Sequence, residues 1–196
     1  MTTRILISLV RLLGILPLPV IELLGSSIGR VLFWIPNREA RTVEVNLGLC
    51  FPELDDSVRK KMRAEILREN ATTLLEMPSA WLQPPERWIK RIDAGQSVKD
   101  MQALLGEGKG LIVAAPHQGS WEVGVHLLSS LGPMTILYRP PRQTGLETLI
   151  VAGRAKMGAR LVPTTRQGIK SLYQALERGE IVTILPDQQP KREGGG

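Results

Sequence analysis

Four short, largely apolar runs constrain the fold of the second half of the chain. They lie at residues 111–115, 134–138, 160–162 and 181–185, and segments with helical periodicity separate them. Runs of this length are too short for buried helices and are typical of interior strands. Strands that alternate with helices form parallel sheets with helices packed on their faces. From about residue 96 onward, the sequence therefore predicts an α/β core with a mainly parallel sheet flanked by helices.

Polar residues follow each of these predicted strands. His117 comes after the first strand, Arg139 after the second, Arg166 after the third and Asp187 after the fourth. Ligands of open parallel sheets bind at the carboxyl ends of the strands, so we expect these side chains to face one site. Arg139 is suited to binding a phosphate or polarising a carbonyl, whereas Asp187 either orients Arg139 or organises its own loop. Arg166 is expected to bind substrate, although helix capping and simple surface exposure are common alternatives.

His117 and Glu122 form the most informative pair of residues at this predicted site. On one continuous helix they would lie roughly 140° apart and could not touch. Gly119 permits a sharp turn and Ser120 is suited to cap a new helix, so Glu122 would fall in the first helical turn, within reach of the imidazole. We expect Glu122 to hold one ring nitrogen protonated and to leave the other as a base.

This predicted pair has no nucleophile of its own. The sequence around Ser120 does not match the Gly-x-Ser-x-Gly nucleophile elbow. The hydroxyl to be activated is therefore expected to belong to a substrate. A hydrolase that uses Ser120 as its nucleophile is the alternative.

The charge balance favours acidic partners. The chain has a formal net charge of +6, and residues 139–193 carry ten basic and five acidic groups. Lipid headgroups, phosphates and acidic carrier proteins are partners of this kind. Aromatic residues make up only 4% and do not alternate with basic ones, which argues against nucleic acid. No cofactor or metal is predicted, because there is a single cysteine and no glycine-rich nucleotide cradle follows any strand.

The first half of the chain is predicted to be helical. Residues 5–35 are strongly apolar, but Pro17 and Pro19 divide them into two helices that are too short for a clean membrane span. We expect this segment to lie at a membrane interface or to re-enter the membrane, with a buried pair of core helices as the alternative. Residues 36–95 are expected to form a second helical region, which gives predicted divisions at 1–35, 36–95 and 96–196.

Three motifs, in this order, resemble those of a known family. They are Ala114–Glu122, which contains the His-x4-Glu pattern, then Tyr138-Arg139-Pro140, and then Leu185–Pro190. The sequence resembles the glycerolipid and lipid A acyltransferases that carry His-x4-Asp or His-x4-Glu, and within them the Kdo-dependent lauroyl and myristoyl transferases of lipid A biosynthesis. This resemblance implies a glycerolipid acyltransferase-like fold.

The resemblance also implies a reaction. His117 would take a proton from a hydroxyl of a lipid A precursor, and that hydroxyl would attack an acyl thioester carried by acyl carrier protein. Arg139 would contribute to acceptor binding. A membrane anchor at the N-terminus would hold the protein on the cytoplasmic face of the cell inner membrane. Members of the family continue beyond Leu185–Pro190, so the resemblance also implies that this chain is truncated at its C-terminus.

Two other functions remain open from the sequence. One is a non-catalytic, membrane-associated module whose basic edge binds anionic lipid. The other is an acyltransferase that uses acyl coenzyme A and a different glycolipid or phospholipid, because coenzyme A is also polyanionic and charge does not separate the two donors.

Overall fold

The computed structural model describes residues 3–140 and 144–187, so residues 188–190 of the third motif and the end of the chain lie outside the described residues. The chain divides into two units, Leu9–Ser79 and Met1–Ser8 with Ala80–Gly196. The described elements, in chain order, are α1 (Thr3–Ile15), α2 (Leu18–Trp34), α3 (Arg38–Cys50), α4 (Asp56–Leu82), α5 (Pro85–Ile89), α6 (Gly95–Gly106), β1 (Leu111–Ala114), α7 (Trp121–Leu131), β2 (Met134–Tyr138), α8 (Thr144–Ala155), β3 (Arg160–Pro163), α9 (Arg166–Glu177) and β4 (Ile181–Ile184).

The four strands form one parallel sheet, which confirms the predicted α/β core flanked by helices. Their order is β1-β4-β2-β3, so the last strand in sequence lies between the first and the second. Leu111 pairs with Ile181, and Met134 pairs with the same residue from the other side. All four carboxyl ends therefore meet at one edge of the sheet.

The core of this unit lies between the sheet and helices α6 and α7. Val125 and Leu128 of α7 are buried against Met134, Ile136 and Ile181 of the strands. Continuous apolar strands buried on both faces are expected in parallel sheets. The apolar side of α7 is thus fixed on the sheet, and the residues at its first turn are held near the strand ends.

His126 and two tryptophans belong to the interior of the same unit. The ring of His126 is fully buried, and its Nε2 lies 2.8 Å from the carbonyl oxygen of Ala80. Because a carbonyl can only accept, Nε2 is the protonated nitrogen. Trp81 and Trp88 are also buried. This burial indicates structural roles for His126 and for the two tryptophans.

The unit Leu9–Ser79 consists of helices. The chain breaks between α1 and α2 at Pro17, with Pro19 in the first turn of α2, so the two predicted helices are present. Asn37 caps α3 by accepting a hydrogen bond from the backbone N–H of Ala40 at 2.8 Å. Helices α2 and α4 touch backbone to backbone. A Cβ built on Gly25 would lie 2.5 Å from the Cα of Thr72, and one on Gly29 would lie 2.4 Å from the Cα of Arg68. These two glycines allow the close approach.

Much of the apolar surface of helices α1 to α3 is exposed. Ile15, Leu23 and Trp34 expose 72%, 68% and 73% of their surface. Within residues 3–140 and 144–187, no single helix has the length and composition of a membrane span, whereas α2 and α3 together reach that length and hydropathy across a bend of 78°.

Candidate functional site

A cavity of about 780 Å³ opens where the strands end. It lies wholly within the unit that contains the sheet. Its polar residues lie in or just after all four strands and on α8. These residues are His117, Gln118, Ser120, Tyr138, Arg139, Arg154, Thr164 and Thr183. The volume is within the range typical of small-molecule sites.

His117 is presented to this cavity by a sharp turn after β1. Gly119 has a φ of 59°, a left-handed conformation that glycine adopts without strain, and α7 begins two residues later. Ser120 occupies the N-cap position but its side chain makes no capping hydrogen bond. Trp121, the first residue of α7, packs edge-on against the imidazole with ring centroids 5.4 Å apart. The turn predicted at Gly119 is therefore confirmed.

Asp187 is the carboxylate that holds His117. Its Oδ1 lies 2.8 Å from Nδ1 of the imidazole, and its Oδ2 accepts a hydrogen bond from the backbone N–H of His117 at 2.7 Å. These two hydrogen bonds, that to the imidazole first, lower the pKa of the Asp187 carboxyl. An ionised carboxylate only accepts, so Nδ1 carries the proton and Nε2 is left as the basic nitrogen.

Glu122 does not contact His117, and the expected hydrogen bond between them is wrong. Both oxygens of Glu122 accept hydrogen bonds from Arg154 of α8, from Nε at 2.9 Å and from Nη2 at 2.6 Å. The reason is the direction of α7: Trp121 occupies the side of the first turn next to the imidazole. The following residue lies about 100° further around the helix. Glu122 is therefore directed into the interior, where it is 3% exposed.

Asp187 does not orient Arg139, which was one of its two predicted roles. Arg139 lines the cavity after β2 and forms no ion pair with any part of the chain that the structure describes. Its guanidinium is an exposed positive charge at the mouth of the cavity. The alternative role of Asp187, organising the loop after β4, is the one consistent with its two hydrogen bonds to His117.

Arg166 lies outside the lining of the cavity. It is the first residue of α9 and is exposed, and the polar residue that β3 contributes to the cavity is Thr164. Thr165 caps α9 by accepting a hydrogen bond from the N–H of Gly168 at 3.2 Å. The surface and helix-end alternative therefore describes Arg166 better than the predicted contact with substrate.

Sequence reasoning missed Arg154. Its guanidinium lines the cavity while two of its nitrogens are bound to Glu122. The available signal was its place in the last turn of a helix that follows the strand carrying Arg139. No spacing rule links it to Glu122, which is 32 residues away.

The described contacts do not support Ser120 as a nucleophile. Ser120 lines the cavity, but no hydrogen bond joins its hydroxyl to His117 within the described residues. A serine nucleophile requires a base within hydrogen-bond reach. The same residues, 3–140 and 144–187, contain no group of three or more His, Cys, Asp or Glu side chains arranged to hold a metal ion.

Comparison with known proteins identifies relatives over most of this chain. The chain is 30% identical to the lipid A biosynthesis palmitoleoyltransferase of Escherichia coli strain K12 over 179 residues. The matched residues make up 91% of this chain and 58% of that protein. It is equally similar to a lipid A biosynthesis acyltransferase of Shigella flexneri. It is also 30% identical over 175 residues to the E. coli lauroyltransferase of the same kind, covering 88% of this chain and 55% of that protein.

The chain spans a little over half the length of these relatives. A model of the family described as bacterial lipid A biosynthesis acyltransferase matches residues 1–195. The match covers both units and all four strands that meet at the cavity. The chain therefore belongs to the bacterial lipid A biosynthesis acyltransferase family.

Proposed function

We propose that the cavity is the active site of an O-acyltransferase in which His117 is the general base. Nε2 of His117 takes the proton of an acceptor hydroxyl, whose oxygen forms a bond to the carbonyl carbon of an acyl thioester. The carbon–sulfur bond breaks, and the departing thiolate receives the proton from the imidazolium. Positioned bases of this kind contribute about 10²–10⁴ in rate.

The observation that carries this proposal is the double hydrogen bond from His117 to Asp187. It fixes both the backbone and the ring of the histidine on the carboxyl edge of the sheet. It also leaves the basic nitrogen without a hydrogen-bond partner among residues 3–140 and 144–187. Asp187 then stabilises the positive charge that the ring acquires, which is the role first expected of Glu122.

Two arginines supply positive charge at the same cavity. We assign Arg154, which Glu122 holds by two hydrogen bonds, to stabilising the negative charge that develops on the thioester carbonyl oxygen. A preorganised cation is effective there because it does not have to reorient during the reaction. Arg139, which has no partner among the described residues, is assigned to the phosphates of the acceptor or donor.

The proposed acceptor is a lipid A precursor and the proposed donor is an acyl carrier protein thioester. The names of the relatives and the family support the acceptor class. The excess of basic residues after Arg139 suits both the phosphates of such a glycolipid and an acidic carrier. A coenzyme A donor remains the alternative.

We also propose that the N-terminal helices, which include the apolar residues 5–35, hold the protein on a membrane, at the cytoplasmic face of the cell inner membrane. The supporting observation is the set of exposed apolar side chains on α1 to α3. Amphipathic helices that lie in the interface bury such side chains among the acyl chains of lipids.

The test is His117→Ala in the full-length protein, with transfer of a radiolabelled acyl group to a lipid A precursor as the measurement. Transfer should fall by at least about a hundredfold with the circular dichroism spectrum unchanged. His117→Gln is the matched variant that keeps the size of the side chain. Turnover above about a tenth of the wild-type rate in either variant would contradict the assignment.

The rival lipid-binding module predicts a different pattern. In that case the wild-type protein would consume no thioester, and His117→Ala would bind vesicles of anionic lipid as well as the wild type does. A hydrolase that uses Ser120 would instead be labelled by a serine-reactive phosphonate.

A further inference from the structure

Gly124 lies in the interior of α7, where a glycine destabilises the helix. A glycine inside a helix is about 0.5–1 kcal/mol less favourable than alanine. A Cβ built on Gly124 would have no neighbouring atom within 4 Å, so the protein itself leaves room for a side chain here. Gly124 also lines the cavity.

Close packing explains several other helical glycines, whereas Gly106, which also has open space, is the last residue of α6 and does not line the cavity. A Cβ on Gly153 would lie 2.6 Å from the Cα of Trp81, and Gly25 and Gly29 meet the backbone of α4. Gly48 on α3 has open space like Gly124, but it is exposed and does not line the cavity. Gly124 differs from these glycines because the open space at the position of its missing Cβ is part of the candidate active-site cavity.

The lining of the cavity changes from polar to apolar along α7. Ser120 and Trp121 line its mouth beside His117, Gly124 lies one turn further, and Leu128 another turn beyond. Residues four apart share one face of a helix, and the eight helical steps from Ser120 to Leu128 rise by about 12 Å.

The far part of this passage is formed by core residues. Val125, Leu128 and Ile136 line it although only 6%, 8% and 3% of their surfaces are exposed. The cavity thus extends from the polar mouth into the space between α7 and strands β2 and β4.

We infer that Gly124 is a specificity-determining residue, whose missing side chain keeps open the passage for the fatty acyl chain of the donor. This inference rests on the proposed acyl transfer. An unbranched acyl chain has no polar group beyond its thioester and matches the apolar lining. A sugar hydroxyl in the same place would lose its hydrogen bonds to water without replacement, at a cost of about 1–3 kcal/mol each.

A side chain at Gly124 would therefore narrow the passage one turn below His117. Long acyl chains, which must pass this point, lose more than short ones. The reaction at His117 itself is not touched.

The experiment compares Gly124→Ala, Gly124→Val and Gly124→Leu with the wild type in the full-length protein. We measure kcat/KM for a series of saturated acyl donors from octanoyl to palmitoyl. Gly124→Leu should lower the ratio of palmitoyl to octanoyl transfer by about tenfold or more, since one or two methylene groups change selectivity by that factor. Gly124→Ala should fold at least as stably as the wild type and shift the ratio less, in the same direction. Gly48→Leu, the matched control, should leave the ratio unchanged.

Binding of the fluorescent fatty acid cis-parinaric acid supplies a readout that is independent of catalysis. Its dissociation constant should rise about tenfold in Gly124→Leu and stay constant in Gly48→Leu. An unchanged acyl-chain profile in all three variants, with transfer that still depends on His117, would overturn the inference and leave the proposed function intact. No transfer by the wild type, together with weaker cis-parinaric acid binding in Gly124→Leu, would overturn the proposed function and retain the passage. If the wild type shows no acyl transfer and Gly124→Leu binds cis-parinaric acid as tightly as the wild type, both the proposed function and the acyl-chain passage are overturned.

Discussion

Replacing Glu122 by glutamine tests whether this carboxylate serves Arg154 or His117. Both charges of the Glu122–Arg154 pair are largely removed from water, since the side chains expose 3% and 17% of their surfaces. Breaking a buried ion pair on one side costs about 3–5 kcal/mol, because the remaining charge is left without compensation. Arg154 keeps some access to solvent, so we expect the lower end, about 3 kcal/mol. For a chain of this length that corresponds to a fall in Tm of roughly 6–12 °C.

The assay is urea unfolding followed by tryptophan fluorescence, with a double-mutant cycle. Arg154→Met alone should also be destabilising, and the double variant Glu122→Gln/Arg154→Met should recover much of the loss, with a coupling of at least about 1.5 kcal/mol. Glu107→Gln is the matched control, because Glu107 pairs with Lys109 at 3.0 Å while both side chains are more than half exposed. It should change the free energy of unfolding by less than about 0.5 kcal/mol.

The cycle of Glu122→Gln with His117→Ala separates the two hypotheses. We expect a coupling below about 0.5 kcal/mol, since the two residues share no partner. The reasoning is refuted if Glu122 couples more strongly to His117 than to Arg154, or if Glu122→Gln is as harmless as Glu107→Gln.

Three further predictions concern Asp187, the donor and the membrane. The hydrogen bonds from His117 hold the pKa of Asp187 below its ordinary value, so their contribution to stability is fully present above about pH 4 and is lost as the pH falls through the lowered pKa. In urea titrations, the difference in the free energy of unfolding between wild type and Asp187→Asn should shrink as the pH falls from about 4 towards 3, and a difference that grows over this range would contradict the assignment. With matched acyl thioesters at low salt, the rate of acyl transfer should be higher from acyl carrier protein than from coenzyme A. This advantage should shrink as salt screens charges beyond a Debye length of about 10 Å at 0.1 M. Equal transfer rates at low salt would argue for coenzyme A. Trp34→Glu should weaken sedimentation with phospholipid vesicles, while Tyr173→Glu, at a residue of the other unit that is 66% exposed, should not; equal effects would point to another anchor.

The fold of the sheet unit was largely predictable because its signals are local. The apolar runs at 134–138 and 181–185 differ from β2 and β4 by at most one residue. Short apolar runs between helical segments have few other ways to bury their side chains. The strand order was not predictable in this way, because periodicity says nothing about which strands become neighbours.

The order of the strands in the sheet decides which side chains pair in the candidate site. His117 and Asp187 are 70 residues apart, and they meet because β4 pairs directly with β1. The sequence identified both residues as lying at strand ends, and it identified His117 and Glu122 as a motif. It could not show that the motif's carboxylate turns inward to Arg154. Spacing limits which residues can meet, whereas the neighbours of each helix decide which ones do.

The place of β4 in the sheet has a consequence for synthesis on the ribosome. β1 and β2 pair with β4 and not with each other, so each leaves the exit tunnel before β4, its neighbour in the finished sheet, has been made. The ribosome adds 70 residues between Ala114 and Ile184, which takes roughly 4–14 s at about 5–20 residues per second. During this interval the nascent chain carries unpaired apolar strands, which are the segments that chaperones bind and that aggregate when left alone. Mutations that slow the arrival of β4 should therefore lower the yield of folded protein without changing the rate of the molecules that do fold.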